Sequence, residues 1–389
     1  STWAPLPRDE VILSQLLRQA GYVTMLIVDT PHMIRDAHYF DRGFDAWWWI
    51  RGQEHDRYMT NPTDDPEERQ KALGRQYLQN VSMRRFEEDY FVAQTMTSAI
   101  KWLELNYDQH EKFFLHIDTF DPHEPWDPPK WYADMYDPGW KGGEVPGGAY
   151  VVGVPRPAAS DLTEEQLNHL RALYAGEVTL VDRWIGRLLQ KIDDLGLLED
   201  TAIIFTSDHG FYHGEHGLIG KSIIQPMAAG SSALYEEVAH IPLIIYHPDV
   251  KGGRHCEALV QPQDITATIL EILEAKSPAV MHGRSLLPLL RGEEVPWRDF
   301  AVTSPSIIHG PVSGQRITVT TSDWALIYTG QVEDALKDNP SRRANLERIE
   351  KITGKIKNEL YNLRKDPREE KNLFEEEREV AEQLHRKLI

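Results

Sequence analysis

Only one cysteine, Cys256, occurs among the 389 residues. This excludes an intrachain disulfide and a cysteine-rich zinc site, and it leans towards a reducing compartment, cytoplasm ahead of periplasm. No apolar run approaches the ~20 residues that a membrane-spanning helix needs, so no membrane partner is expected. Basic residues are also scarce: 42 Lys and Arg stand against 61 Asp and Glu, a formal charge of −19. Nucleic acid and anionic membrane surfaces would be repelled at long range, so no nucleic-acid partner is expected either. An anionic substrate would need a local cationic device. The first residues, Ser1-Thr2-Trp3-Ala4-Pro5, carry neither an initiator Met nor a basic-then-apolar leader. The expectation is a chain that opens inside a larger domain, with its N-terminal part missing.

What is present is a regular alternation of helix and strand patterns. Ile12, Leu13, Leu16, Leu17 and Ala20 recur at helical spacing, and Gly21 stands where a helix would end. Tyr22–Val28 reads as a buried strand running into Asp29-Thr30-Pro31-His32. Residues 87–109 read as a helix, followed by a strand at Phe113–Ile117 that ends in Asp118. Thr163-Glu164-Glu165-Gln166 is a capping-box sequence and predicts a helix to about Leu195, closed by Gly196. Strands are predicted at Ala202–Thr206 and Ile241–Tyr246, and a helix at Asp264–Leu273. The pattern predicts an α/β fold, a mostly parallel sheet covered by helices on both faces, over residues 1–297. Residues 298–389 predict a small α+β C-terminal subdomain, with strands at Phe300–Ser304, Gln315–Thr321 and Trp324–Tyr328 and a helix at Phe374–Leu388. The Pro- and Gly-rich stretch 121–157, with Trp126, Trp131 and Trp140, reads as a functional loop and a candidate substrate rim.

Three predicted strands end in polar clusters: Asp29 to His32, Asp118 to His123, and Asp208-His209. Ligands of α/β sheets bind at the carboxyl ends of strands, so the three together suggest a metal-assisted hydrolytic site. Any one of them could equally be a carboxylate capping a turn. Asp208-His209 can offer a carboxylate oxygen and an imidazole nitrogen to one divalent cation. Gly210, Gly214, Gly217 and Gly220 favour a loop wrapped around a ligand over a helix. That disfavours His209 and His213 as a helical zinc pair. Lys221 closes this loop and could contact an anion. Trp47-Trp48-Trp49 either straddles core and rim or stacks on a sugar or aryl group.

These motifs carry a family resemblance. Ser207-Asp208-His209-Gly210, Gly214-Glu215-His216-Gly217 and Gly220-Lys221 resemble the metal-and-lysine loop of the sulfatase family, within the alkaline phosphatase superfamily. In family order, so do Gln19–Thr24, Phe114–Asp118 with Asp121-Pro122-His123-Glu124-Pro125-Trp126, and Tyr235-Glu236-Glu237 with His240–Leu243. Gly283–Pro288 follows, then Glu359-Leu360-Tyr361-Asn362-Leu363 with Asp366-Pro367 and Asn372-Leu373. The resemblance, bacterial arylsulfatase-like, implies hydrolysis of sulfate esters of a small molecule or saccharide. It implies Asp208 and His209 as metal ligands, calcium the usual metal with manganese or zinc possible. It gives Lys221 and His123 contact with sulfate and leaving-group oxygens, His123 as general acid.

Two departures from the family pattern stand out. The first acidic metal pair and the formylglycine signature (Cys/Ser-x-Pro/Ala-x-Arg) are absent, so nucleophile and formylglycine are expected upstream. Cys256 lacks the following Pro and Arg and is expected to be a buried, inert thiol. Where the family has Gly-Lys-x-His, this chain has Val28-Asp29-Thr30-Pro31-His32. The lysine is missing, and His32 remains a catalytic candidate displaced by one position. The alternatives are a phosphonate or phosphate mono- or diester hydrolase of the same superfamily, and an inactive binder of sulfated ligands.

Overall fold

The fold is described from a computed structural model covering residues 5–54, 56–59, 76–143, 145, 159–220, 233–304, 316–329, 350 and 357–388. Strand β1 (Val23–Val28) is flanked on both sides by parallel neighbours, β2 (Ala46–Trp49) and β3 (Phe113–Asp118). In register, Val28 faces Trp49 on one side and Asp118 on the other. The carboxyl ends of β1 and β3 therefore lie side by side. Strand β1 reads as a continuous apolar run because helices bury it: Met25 and Ile27 pack with Val92, Met96 and Ala99 of helix Phe91–Asn106 and with Leu180, Val181 and Trp184 of helix Glu164–Asp194. Each such side chain contributes about 1.5–3 kcal/mol of hydrophobic burial.

The long helix starts where its sequence says. Thr163 Oγ1 accepts from Gln166 N at 3.2 Å, and the Gln166 side chain accepts from Thr163 N at 2.9 Å. It ends at Gly196, whose φ of 72° is the left-handed conformation glycine takes most cheaply.

Strand β4 (Ile203–Thr206) pairs with β7 (Leu243–Tyr246), and this pair is antiparallel, unlike the first sheet. An apolar run carries no direction, so the periodicity could not show this. Among the described residues, β3 and β4 are each paired on one side only. Phe205, Ile244 and Tyr246 of the second pair are exposed. Between β4 and β7, the short strands β5 (Tyr212–His213) and β6 (Ile219–Gly220) form a hairpin.

Downstream, β8 (Ala301–Thr303), β9 (Arg316–Thr320), β10 (Trp324–Thr329) and β11 (Glu359–Asn362) form an antiparallel sheet. Val319, Leu326 and Leu360 pack on Ala381 and Leu384 of helix Arg378–His385. Tyr212, Tyr235 and Val238 meet Ile327 and Tyr361 where the two sheets' units join. Cys256 is exposed, contrary to expectation: it lies in an irregular stretch whose neighbours, Arg254 to Glu257, are all exposed. No described helix is long and apolar enough to cross a membrane.

Candidate active site at the strand ends

Asp29, the residue after β1, is fully buried, and its carboxylate is fully engaged. Oδ2 accepts from Thr95 Oγ1 at 2.8 Å and Thr119 Oγ1 at 2.9 Å, and Oδ1 from Phe120 N at 2.5 Å. Burial, then the nearby Asp121 carboxylate, pushes its pKa well above the ordinary carboxylate value. Asp29 therefore locks the ends of β1 and β3 together, with both of its oxygens hydrogen-bonded. The neighbouring Asp118 accepts from Thr30 Oγ1. Its pKa is raised first by burial and further by Asp208, so the ends of β3 and β4 lie within electrostatic reach of each other.

Past β3 the chain turns through Asp121–Asp127. Asp121 accepts from Gln53 Nε2 at 2.9 Å and Val92 N at 3.2 Å. Asp127 accepts from Tyr77 Oη at 2.9 Å and Arg84 Nη1 at 3.0 Å. Burial raises Asp121 to about 6. Glu177 of the long helix accepts from the Asp127 amide and is itself pushed well up by burial. This buried network holds the turn that presents His123. Its members are spread over residues 53 to 177, and nothing in their local sequence announced it.

His123 is 8% exposed. Its Nδ1 lies 2.6 Å from the Glu124 carbonyl oxygen, which can only accept, so Nδ1 carries the hydrogen and Nε2 is the nitrogen able to exchange a proton with a ligand. The ring stacks on Phe120 with centroids 3.9 Å apart and stands perpendicular to Phe211, 5.6 Å away. His209 approaches the same Phe211 ring at 5.3 Å. Two residues from different strands are thus gathered around one phenyl ring. Phe211 was not among the expected site residues. Its only sequence signal was an apolar residue inside a glycine-rich loop.

The Asp208–His209 pair fits a cation. His209 Nδ1 donates to the Gly210 carbonyl at 3.0 Å, which leaves the lone pair of the neutral ring on Nε2. Nε2 lies 3.3 Å from Asp208 Oδ2. Two electron-pair donors at that spacing suit one divalent ion, and the Asp208 side chain is 79% exposed and able to adjust. Gly210 permits the close approach beneath: a Cβ there would lie 2.0 Å from the Glu237 carbonyl oxygen. Positive φ at Gly214, Gly217 and Gly220 accords with a wrapped loop. Lys221 lies outside the described residues.

His32 is placed differently. Its Nε2 forms an ion pair with Glu54, a 5% exposed residue in the loop after β2. The structure brings His123, Asp208 and His209 to one region and ties His32 to a buried carboxylate. Trp126 is core, 2% exposed, packed at 5.7 Å on Phe211. Trp140 stacks on His169 at 4.3 Å, and Trp131, 54% exposed, remains available to a rim. Trp47 and Trp48 lie within β2, each 48% exposed.

Residues 1–275 match the sequence model of the sulfatase family. An arylsulfatase of Clostridium perfringens is 28% identical over 280 residues, covering 64% of this chain and 52% of the relative, so the chain spans about half that protein's length. The phosphonate monoester hydrolase of Agrobacterium radiobacter superposes with a TM-score of 0.70 at 22% identity, covering all of this chain and 81% of that one. BT4656, solved with its substrate D-glucosamine-2-N,6-O-disulfate, superposes with a TM-score of 0.67 at 20% identity, covering all of this chain and 83% of that one. These structural likenesses concern the fold: an alkaline phosphatase-like α/β unit with an antiparallel C-terminal subdomain. With the family's strand-end motifs gathered around Phe211 and the sequence model matched over most of its length, the chain belongs to the sulfatase family.

Proposed function

We propose that the protein of which this chain is part hydrolyses sulfate esters, of a small molecule or a saccharide, with a catalytic unit over residues 1–297 and an α+β subdomain over 298–389. The observation that carries the reading is the convergence of His123 and His209 on Phe211, with Asp208 3.3 Å from His209. Asp208 and His209 would hold a divalent metal, calcium first, manganese or zinc as alternatives. When bound, it supplies charge withdrawal from the sulfate oxygens. His123, with Nδ1 committed to the Glu124 carbonyl, carries the transferable proton on Nε2 and protonates the departing oxygen. Phe120 and Phe211 hold that ring and keep water from its faces. Lys221 is proposed to bind the anionic group. A formylglycine is the proposed nucleophile, and its signature does not occur within these 389 residues. Steady-state kinetics of the full-length protein on matched aryl sulfates, phosphate esters and phosphonate esters test the reading. A kcat/KM for sulfates below that for both phosphorus esters would sink it.

One observation favours a second reading, a phosphonate or phosphate ester hydrolase. The position near which the family carries lysine holds Asp29, whose carboxylate is consumed by Thr95, Thr119 and Phe120 and offers an anion no cationic support. The same kinetic panel separates the two.

A further inference from the structure

Away from the strand-end histidines, three ligand-type side chains converge from stretches distant in sequence. His216 lies in the turn Glu215–Gly217, Glu237 in the short helix Glu236–Ala239, and Glu369 in the segment after β11. One ligand atom of each lies within 4.8 Å of the other two. His216 Nε2 and Glu237 Oε2 are 3.3 Å apart, close to the edge, about 3.4 Å, of a tetrahedron with metal–ligand bonds of ~2.0–2.1 Å. The imidazole is held flat against Tyr235, centroids 3.6 Å and planes 10° apart.

Glu369 supplies the second, independent observation. The residue is 2% exposed. Its Oε2 accepts from the Glu236 amide at 2.8 Å, which fixes the carboxylate, whereas Oε1 is buried with no hydrogen-bond partner. A buried carboxylate oxygen left without a donor is costly, so a charged partner is called for. Tyr235 Oη and Tyr361 Oη both donate to Glu359 Oε2, at 2.8 and 2.6 Å, and Arg316 Nη2 pairs with the same carboxylate, so these three groups are directed at Glu359.

We propose that His216, Glu237 and Glu369 bind a divalent transition cation, zinc or manganese by the chemistry of one imidazole and two carboxylates. The ion fastens the C-terminal sheet to the α/β unit. The two glutamates neutralise its charge, and its remaining coordination opens on a cleft of about 960 Å³ bordered by Arg171, Lys357 and Arg368, from which water completes the shell. The occupant is structural, and the side chains that hold it are separate from Asp208 and His209.

The test uses the full-length protein, stripped with a chelator and dialysed against Zn²⁺ or Mn²⁺, with bound metal counted by mass spectrometry. His216→Gln and Glu369→Gln should each lose one equivalent, or bind it at least ten-fold more weakly, while Asp208→Asn retains that equivalent. The Co²⁺-loaded protein should keep a visible absorption band in Asp208→Asn that His216→Gln lacks. Metal addition should raise the melting temperature of the wild type and not of His216→Gln. Should Glu369→Gln fail to fold, Glu237→Gln serves in its place. Equal metal content in the wild type and in His216→Gln overturns the proposal. So does a Glu369→Gln protein as stable as the wild type with unchanged metal content, which would assign the buried oxygen to a proton shared with Glu237.

Discussion

His123 meets Phe211 edge to face, with ring centroids 5.6 Å apart and planes at 89°. His209 stands against the same phenyl ring at 77°. Phe211 is 8% exposed and also packs against Trp126 and Tyr174, so it cannot tilt without disturbing the core beneath. A rigid aromatic spacer fixes the distance between His123 and His209 more firmly than a hydrogen bond between flexible side chains.

If His123 protonates the leaving oxygen, His123→Ala should cost about 10²–10⁴-fold in kcat/KM on esters with poor leaving groups and far less on nitrophenyl esters. The slope of log kcat/KM against leaving-group pKa measures this. An equal loss across the series would make His123 a binding residue.

Asp208→Ala should remove one equivalent of divalent metal while leaving the far-ultraviolet circular dichroism unchanged. The side chain is largely exposed, and its removal relieves the repulsion that raises Asp118. Unchanged metal content would reject Asp208 as a ligand.

Asp264 is fully buried at the start of helix Pro262–Ile272 and receives the Arg298 guanidinium along with the Gln261 and Arg284 amides. Burial alone would raise its pKa, but the Arg298 hydrogen bonds and the two amides outweigh it and hold the carboxyl below its ordinary value. Its contribution is therefore present above the unfolded carboxylate range and is lost as pH falls through the lower folded value. Asp264→Asn leaves Arg298 buried without its charge partner and should cost about 3–5 kcal/mol at neutral pH, read by urea unfolding.

His213 predicts a second acid-sensitive window. Burial, opposed by Glu215, lowers its pKa from 6.5 to about 4. The unfolded chain binds this proton more readily than the folded one. The associated stability is complete above pH 6.5 and erodes as pH falls towards 4, by at most about 3–4 kcal/mol. His213→Gln should flatten the melting temperature over that interval. A parallel decline in both proteins would place the acid sensitivity elsewhere.

Local signals were readable wherever the deciding interaction lies within a few residues. The Thr163–Gln166 box and the stop at Gly196 are of this kind. Partners distant in sequence were not. His32 stands beside Asp29 in the sequence, and its contact with Glu54 across 22 positions is not signalled there. Arg84 and Asp127 give no hint that they meet. Strand β2 hid within three consecutive tryptophans, because two of them are half-exposed and the strand shows no alternation. Strand β11 was noticed only as a motif, since its buried Glu359 and Asn362 break the apolar pattern and are satisfied by Tyr235, Arg316 and the turn after the strand.

The one-sided pairing of β3 and β4 bears on how the molecule behaves in a test tube. Strand edges without a partner among the described residues form a template on which extended peptide can add, and the exposed Phe205, Ile244 and Tyr246 of the β4–β7 pair an apolar surface on which it can settle. A preparation limited to these 389 residues should bind hydrophobic dyes and self-associate as it is concentrated. Its net charge of −19 acts in the other direction, so added salt, which screens that repulsion, should hasten precipitation.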